Sequence, residues 1–273
     1  MDSRTAAFAS ASLAWREIIR FFRQRNRIVG SIGTPLVFWL LFGAGMASSF
    51  KLNAGQQTQS FLYYFFPGSL LLMVLFTAIF SSISIIEDRR EGFLQGVLVS
   101  PIPRWSVILG KVLGGTIVAV AQGLIFLLLG LTLPIVLSPL AAIELVLFLF
   151  VASLAITSLG TFFAWKTDST QGFHAIMNLV LMPLWLLSGG FFPAPAIATD
   201  AGWRDWLLGL AMRANPLSYA VGGVRRILSP AAEYHEAWVP SLMASWLVTL
   251  VFAAAAFGLA VWISRQRTSG DLQ

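Results

Sequence analysis

Apolar residues run along this chain in six long blocks, and the polar residues between them fall into short, sharply bounded groups. The blocks cover 28–47, 61–86, 107–133, 141–164, 174–192 and 241–263. Each supplies the roughly 20 predominantly apolar residues that a helix needs to cross a bilayer core. Four of the six contain no Asp, Glu, Lys or Arg; Lys111 and Glu144 are the exceptions, each near a block end where a side chain can reach the interface. Ahead of the first block, residues 8–27 show a helical period. Trp15, Ile18, Ile19 and Phe22 share one face, and Arg16, Arg20, Arg23 and Arg27 share another. That pattern predicts an amphipathic helix lying in the membrane interface with its arginines toward anionic headgroups.

The stretch 193–240 breaks the alternation. It is too long for a tight turn and too apolar for a solvated loop. Trp203, Trp206, Leu207 and Leu210 fall at helical spacing, and a second short helical pattern follows the Asn215-Pro216 break. Two half-length pieces predict a re-entrant or interfacial hairpin, with a small capping lobe outside the membrane as the alternative. The fold class is therefore all-α integral membrane protein: six spans, an N-terminal interfacial helix and a helical hairpin between spans five and six, in one membrane domain over 1–273.

Composition agrees with this pattern. Of 273 residues, 57% are hydrophobic and 11% charged, against about 25% charged in an ordinary globular chain. The absence of cysteine excludes a disulfide framework and thiolate metal sites. No cleavable leader is expected, because the first 27 residues carry six arginines and no long apolar core. The net charge of +6 is better explained by loop topology than by nucleic-acid binding. Thirteen basic residues fall on the side that holds the N-terminus, the 87–104 loop, Lys166 and the tail, against five on the other. Both termini are expected in the cytoplasm, and the 193–240 segment outside.

Candidate chemistry is sparse. A phosphate-binding loop needs G-x-x-x-x-G-K-[ST], whose glycine amides cradle phosphates. The only Gly-Lys pair, Gly110-Lys111, has Trp105 at the first position of that frame and Val112 after the lysine, so the frame fails at both ends. His174 and His235 are separated by the expected topology. Ser188 lacks an evident base, and neither a metal set nor a catalytic set is proposed. Gln122 and Asn178 are the main polar side chains at depth. They suit either a translocation path or interhelical hydrogen bonds.

One segment runs against the general avoidance of charge. Glu87, Asp88, Arg89, Arg90 and Glu91 stand in a row between blocks two and three, followed by Phe93, Leu94, Val97 and Leu98 at helical spacing and then by Pro101 and Pro103. Such a mixed-sign patch with an ordered apolar face suits docking of a complementary protein surface. A hydrated loop that merely obeys the positive-inside rule is the other reading of the pattern.

The stretch "EDRREGFLQGVLVSPIPRWSVILGKVLGG" resembles the signature of ABC-2 type permeases, the membrane subunits of a class of ABC transporters. "LSGGFFP" at 187–193 and "NPLSYAVGGVRRIL" at 215–228 are similar to two further segments of that family. The resemblance covers nearly the whole chain, and is nearest to drug-resistance and lipo-oligosaccharide export permeases. It implies two permease copies, a homodimer, with two separate ATP-binding subunits that hold the ATP and Mg; this chain itself binds no cofactor. It implies that the loop after span two is a coupling helix contacting the ATPase through Glu87, Asp88, Arg89, Arg90, Glu91, Phe93 and Leu94. Lys166 and Asp168 would add a second contact, and Asn215, Pro216 and Tyr219 an outer gate. The expected function is outward movement of a hydrophobic or amphiphilic substrate across a bacterial or archaeal inner membrane. An ATP-independent transporter or channel, or a regulatory membrane subunit, are the alternatives.

Overall fold

The computed structural model describes residues 3–46, 52–54, 57–135, 137–195, 202–230 and 237–266. Among them the chain forms α1 (Ser3–Arg23), α2 (Arg25–Gly45), α3 (Phe61–Arg90), α4 (Phe93–Val99), α5 (Arg104–Leu127), α6 (Pro139–Lys166), α7 (Thr170–Leu186), α8 (Trp203–Ala214), α9 (Pro216–Leu228) and α10 (Leu242–Ser264). A 3-10 turn, Leu128–Thr132, extends α5. One antiparallel strand pair, β1 (Leu52–Ala54) and β2 (Gln57–Gln59), sits between α2 and α3, a feature the hydropathy pattern did not signal.

Local chemistry sets many of the helix starts. Ser60, Ser138, Ser169, Asn215 and Ser241 each accept a backbone N–H from the first turn of the helix that follows, satisfying a donor with no partner inside the helix. Pro139 and Pro216 then occupy the first helical position, where a missing N–H costs nothing.

Among the described residues five helices are long and apolar enough to cross a membrane: α2, α3, α5 with its 3-10 extension, α6 and α10. They correspond to five of the six blocks. The block at 174–192 forms α7, which has 17 residues, about 25 Å at 1.5 Å per residue. It stops at Leu186, where the apolar run predicted continuation to 192. The Leu187 N–H bonds Pro183 O, Ser188 N–H and Oγ–H both reach Trp185 O, and Gly189 turns the chain at φ +75°. Hydropathy is blind to that turn because Leu187, Phe191 and Phe192 remain apolar.

Helix α3 is the axis of the fold. It contacts α2, α4, α5, α6, α7 and α9. Nearly every residue from Phe61 to Ile86 is buried. Thirty residues span about 45 Å, more than the roughly 30 Å of hydrocarbon, so one helix reaches from an aromatic cluster at one end of the bundle to the charged run at the other. Phe61, Phe65, Trp185 and Phe191 meet at the first end. The run Glu87–Arg90 is the last turn of α3, where the pattern placed a loop; no Pro or Gly lies between Gly68 and Gly92, and the φ of +75° at Gly92 makes the corner into α4. By contrast α2 is largely outward-facing, exposing Val29, Val37, Leu40 and Leu41.

The interfacial helix expected over 8–27 differs from what forms. Helix α1 ends at Arg23, and Arg25 and Arg27 open α2 beyond a break at Gln24 (φ −97°, ψ 79°). Neither Pro nor Gly marks the break. It arises because α1 lies along α5 while α2 runs along α3. Gly110 and Gly114, one turn apart on α5, admit α1: a Cβ at Gly110 would sit 2.7 Å from Ser10 O, and one at Gly114 2.8 Å from Ala14 O. Small residues at this spacing let helix backbones touch. Ser106 Oγ–H reaches Ala6 O at 2.6 Å, and the hydroxyls of Ser10 and Ser106 lie 2.9 Å apart. Ala6, Ser10, Leu13, Ala14, Glu17 and Phe21 are thereby buried, while Phe8, Trp15, Ile19 and Phe22 stay exposed.

Replacing Gly114 by Leu should force α1 off α5, since overpacking a tight contact costs about 1–3 kcal/mol. The expected outcome is a lower melting midpoint in detergent together with loss of disulfide formation between cysteines placed at Ser10 and Ser106. Unchanged cross-linking would show that the glycine contact does not hold α1.

Candidate functional site

The end of α3 gathers charge from four helices. Asp88 is fully buried and accepts two hydrogen bonds from Arg16, at 3.0 and 2.7 Å, with Arg20 on one of the same oxygens. Lys111 donates to Asp88 and, at 2.9 Å, to Glu17. Arg20 also reaches Glu87 at 2.8 Å and Glu91 at 3.3 Å, and Arg27 pairs with Glu87. Arg16, Arg20, Arg27 and Lys111 thus face Glu17, Glu87, Asp88 and Glu91, four of each sign, so the cluster is neutral. Neutrality matters: an unpaired charge removed from water costs several kcal/mol, and a satisfied network offsets most of that. Burial lowers the Arg16 pKa, but its hydrogen bond to Asp88 and the charges of Asp88, Glu17 and Glu91 outweigh burial and leave it raised.

Two expectations change here. The Arg16, Arg20 and Arg27 side chains, expected on lipid headgroups, hold carboxylates of the chain itself; Arg23 remains exposed. Lys111, expected to reach the interface, is 3% exposed and turned inward. In both cases the carboxylates on other helices lie 23 to 94 residues away along the chain, beyond the reach of periodicity.

The charged run therefore divides by face. Asp88 and Arg89 point in. Arg89 donates to Trp165 O at 2.6 Å and Thr167 O at 3.2 Å, and its guanidinium lies 3.6 Å from the Asp168 carboxylate. Arg90 donates to Asp168 O at 3.2 Å. Two segments that the sequence reading treated as separate contacts, 87–94 and 166–168, are thus side by side. Phe93 lies under the Arg16 guanidinium, 3.6 Å from its ring centroid, and Leu94 is buried. Facing outward are Arg90, Glu91, Gly96, Val99, Lys166 and Asp168; Val99 is 86% exposed. Beside them runs a groove of about 550 Å³ lined by Trp15, Arg16, Ile19, Arg20, Arg23 and Glu91, among others.

The other named residues lie elsewhere. Asn215 caps α9 by accepting the Leu217 N–H at 3.0 Å, and donates to Leu184 O at 2.6 Å. Pro216 follows it as the first residue of α9. The Tyr219 hydroxyl donates to Arg213 O at 3.1 Å, and its ring meets Trp238 edge-on. Gln122 is buried against the Thr77 hydroxyl, whereas Asn178 is exposed on α7; the two do not meet. Arg225 is one of the five basic residues that the charge count placed on the outer side. It is buried at the opposite end of the bundle, donating to Tyr64 O at 3.2 Å and Gly189 O at 3.0 Å, with its guanidinium 4.1 Å from the centre of the Tyr64 ring. It joins α9, α3 and the turn after α7, and no sequence signal distinguishes it from its neighbour Arg226.

A helical bundle with five helices long and apolar enough to cross a membrane, and a buried neutral charge cluster at one end, is that of a multi-pass membrane protein. Residues 10–229 match the profile of the ABC-2 type transporter family, and the chain belongs to that family. It is similar to the putative transport permease ycf38 of Cyanophora paradoxa, 26% identical over 248 residues, covering 90% of this chain and 80% of the relative. It is similar also to the daunorubicin resistance ABC transporter permease protein DrrB1 of Streptomyces coeruleorubidus, 24% identical over 255 residues, 91% and 84% of the two chains. A probable multidrug ABC transporter permease, YbhR, of Escherichia coli K12 is 26% identical over 201 residues, 72% of this chain and 52% of the relative.

The burial pattern predicts unequal costs. Asp88→Asn leaves Arg16, Arg20 and Lys111 without their shared carboxylate and should destabilise by about 3 kcal/mol. Glu91→Gln, at a side chain 60% exposed, should cost less than about 1 kcal/mol. Thermal melting followed by size-exclusion chromatography in one detergent ranks the two; equal midpoints would refute the cluster's structural weight.

Proposed function

We propose that this chain is the membrane-spanning subunit of an ATP-driven exporter, powered by a separate ATP-binding subunit. The observation that carries the reading is the composite face at the end of α3. The end of α3, helix α4 and the 166–168 segment present Arg90, Glu91, Val99, Lys166 and Asp168 outward, while Asp88, Arg89, Phe93 and Leu94 bolt that face to the membrane helices. Mixed charge around an exposed apolar residue fits register-specific docking of a protein, and the adjoining groove along α1 enlarges the footprint. Of the residues named for this interface, the outward set makes the contact and the inward set supports it.

ATP and Mg belong to the partner in this reading. Support comes from Gly110-Lys111: the pair lies inside helix α5, and Lys111 is committed to two carboxylates where a phosphate loop needs a free lysine on a glycine turn. Two copies of each subunit assemble. The outward faces of α2 and α7 supply the permease contact, with Asn178 on the axis and Gln122 inside each bundle. Helix α7 is a sixth, shorter crossing. Helices α8 and α9 re-enter from the outside, and Asn215, Pro216 and Tyr219 hold the gate there. Both termini and the α4 end lie in the cytoplasm of a bacterial or archaeal cell, as the basic-residue bias favours. The substrate is hydrophobic or amphiphilic, in keeping with relatives named for multidrug and daunorubicin permeases.

ATP binding draws the partner subunits together, α4 follows, and the paired membrane domains open outward. Co-purification with a P-loop ATPase from a neighbouring reading frame tests the core of this. Reversing the outward charges with Arg90→Glu and Glu91→Arg, alongside Val99→Asp, should reduce recovered ATPase by about tenfold, as expected when close interfacial charges become repulsive. Undiminished recovery would remove this face from the interface. Orientation is checked separately: a cysteine at Ser60 should react with an impermeant maleimide from outside the cell only, and labelling from the cytoplasm alone would invert the topology.

A further inference from the structure

A continuous set of side-chain contacts runs from the docking face into the membrane helices. Phe93 of α4 stacks under Arg16 of α1, Arg16 forks onto Asp88 of α3, and Asp88 binds Lys111 of α5, which returns to Glu17 of α1. Lys111 and Glu17 are 3% and 4% exposed. Neither reaches the outer face, so neither is placed to touch a docked partner. Lys111 is the only α5 side chain that forms an ion pair among the described residues.

We propose that Lys111 is a positioning residue whose ammonium pins the start of α5 to the end of α3 and to α1, so that a displacement of α4 moves all three as one block. This rests on the export reading above, and concerns how force enters the membrane rather than where the partner binds. The distinction follows from the partners each group retains. Without Lys111, Asp88 still has Arg16 and Arg20, and α4 still has the Arg16–Phe93 stack. The docking face therefore survives. What is lost is the direct charged tie of α5, and Glu17 is left with Arg16 at 3.3 Å. A lysine suits the position because three donors on a flexible stem can serve carboxylates on two different helices. Removal should uncouple without undocking.

The absence of native cysteine gives a clean reporter. Ser218 is buried on α9 at the far end, bonded to Leu187 O at 3.1 Å; a cysteine there reports opening by its rate of reaction with maleimide. The assembled complex in nanodiscs, with its ATPase, is measured with and without ATP. In the Ser218→Cys background ATP should raise the rate about fivefold or more, the lower range of ordinary site-to-site coupling. Lys111→Met should abolish that response while ATPase recovery stays unchanged, and Lys111→Arg should keep most of it. Full ATP response in Lys111→Met overturns the proposal. So does parallel loss of bound ATPase in both variants, which marks a merely structural role. Should Lys111→Met fail to fold, Lys111→Met with Glu17→Gln removes one charge of each sign and gives the same readout. No ATP response even with Lys111 present counts against the export reading instead. The block is then tested on the chain alone: disulfide formation in Ser10→Cys/Ser106→Cys should be several-fold slower with Lys111→Met, and equal rates overturn the proposal.

Discussion

A carboxylate with no access to water, Asp88, holds three cations, and the arrangement of one whole end of the bundle depends on it. In a low-dielectric setting each of these charges would be costly by itself. Together with Glu17, Glu87, Glu91 and Arg27 they form a set whose members are tolerable only in company. That condition fixes positions. The end of α3, the start of α5, the first turn of α2 and the middle of α1 must converge, because a displaced helix would strand a charge. Apolar packing cannot impose such a condition in a membrane, where lipid is as good a neighbour as leucine.

The long central helix and the short corner after it convert this anchoring into a surface. Because α3 outruns the hydrocarbon thickness, its last turn emerges where charge is permitted. Gly92 then turns the chain through a left-handed conformation. Helix α4 is consequently laid across the charge cluster with one side stacked on Arg16 and the other open. Arg89 and Arg90 carry the 166–168 loop into the same plane. At the opposite end of α3 a different device appears: Arg225, held by carbonyls and an aromatic face, draws α9 onto the helix. A single rigid element thus links the proposed motor-facing end to the proposed gate.

Much of the architecture was legible in advance. The long apolar blocks, the helical period of 93–98 and the Asn-Pro helix start at 215–216 each reflect a local rule, namely hydrophobic length, amphipathic spacing or an orphan N–H that needs a cap. The failures were of another kind. Residues 187–192 are as apolar as a span yet fold as turns, since hydropathy does not register chain reversal. The helix ended at Gln24 without a breaker residue because two neighbouring helices, α3 and α5, pulled the flanking segments in different directions.

By itself the sequence determined that this is a multi-pass helical membrane protein with one charged segment between its second and third blocks, because burial of backbone and apolar surface in lipid depends only on composition and period. Its motifs also disclosed family membership. Tertiary structure alone decided which charges face outward and which lock the bundle. Pairing of Asp88 with Arg16 and Lys111, or of Arg89 with the 165–168 backbone, joins residues far apart in the chain, and an electrostatic bond is fixed by distance in space, which no periodicity along the chain encodes.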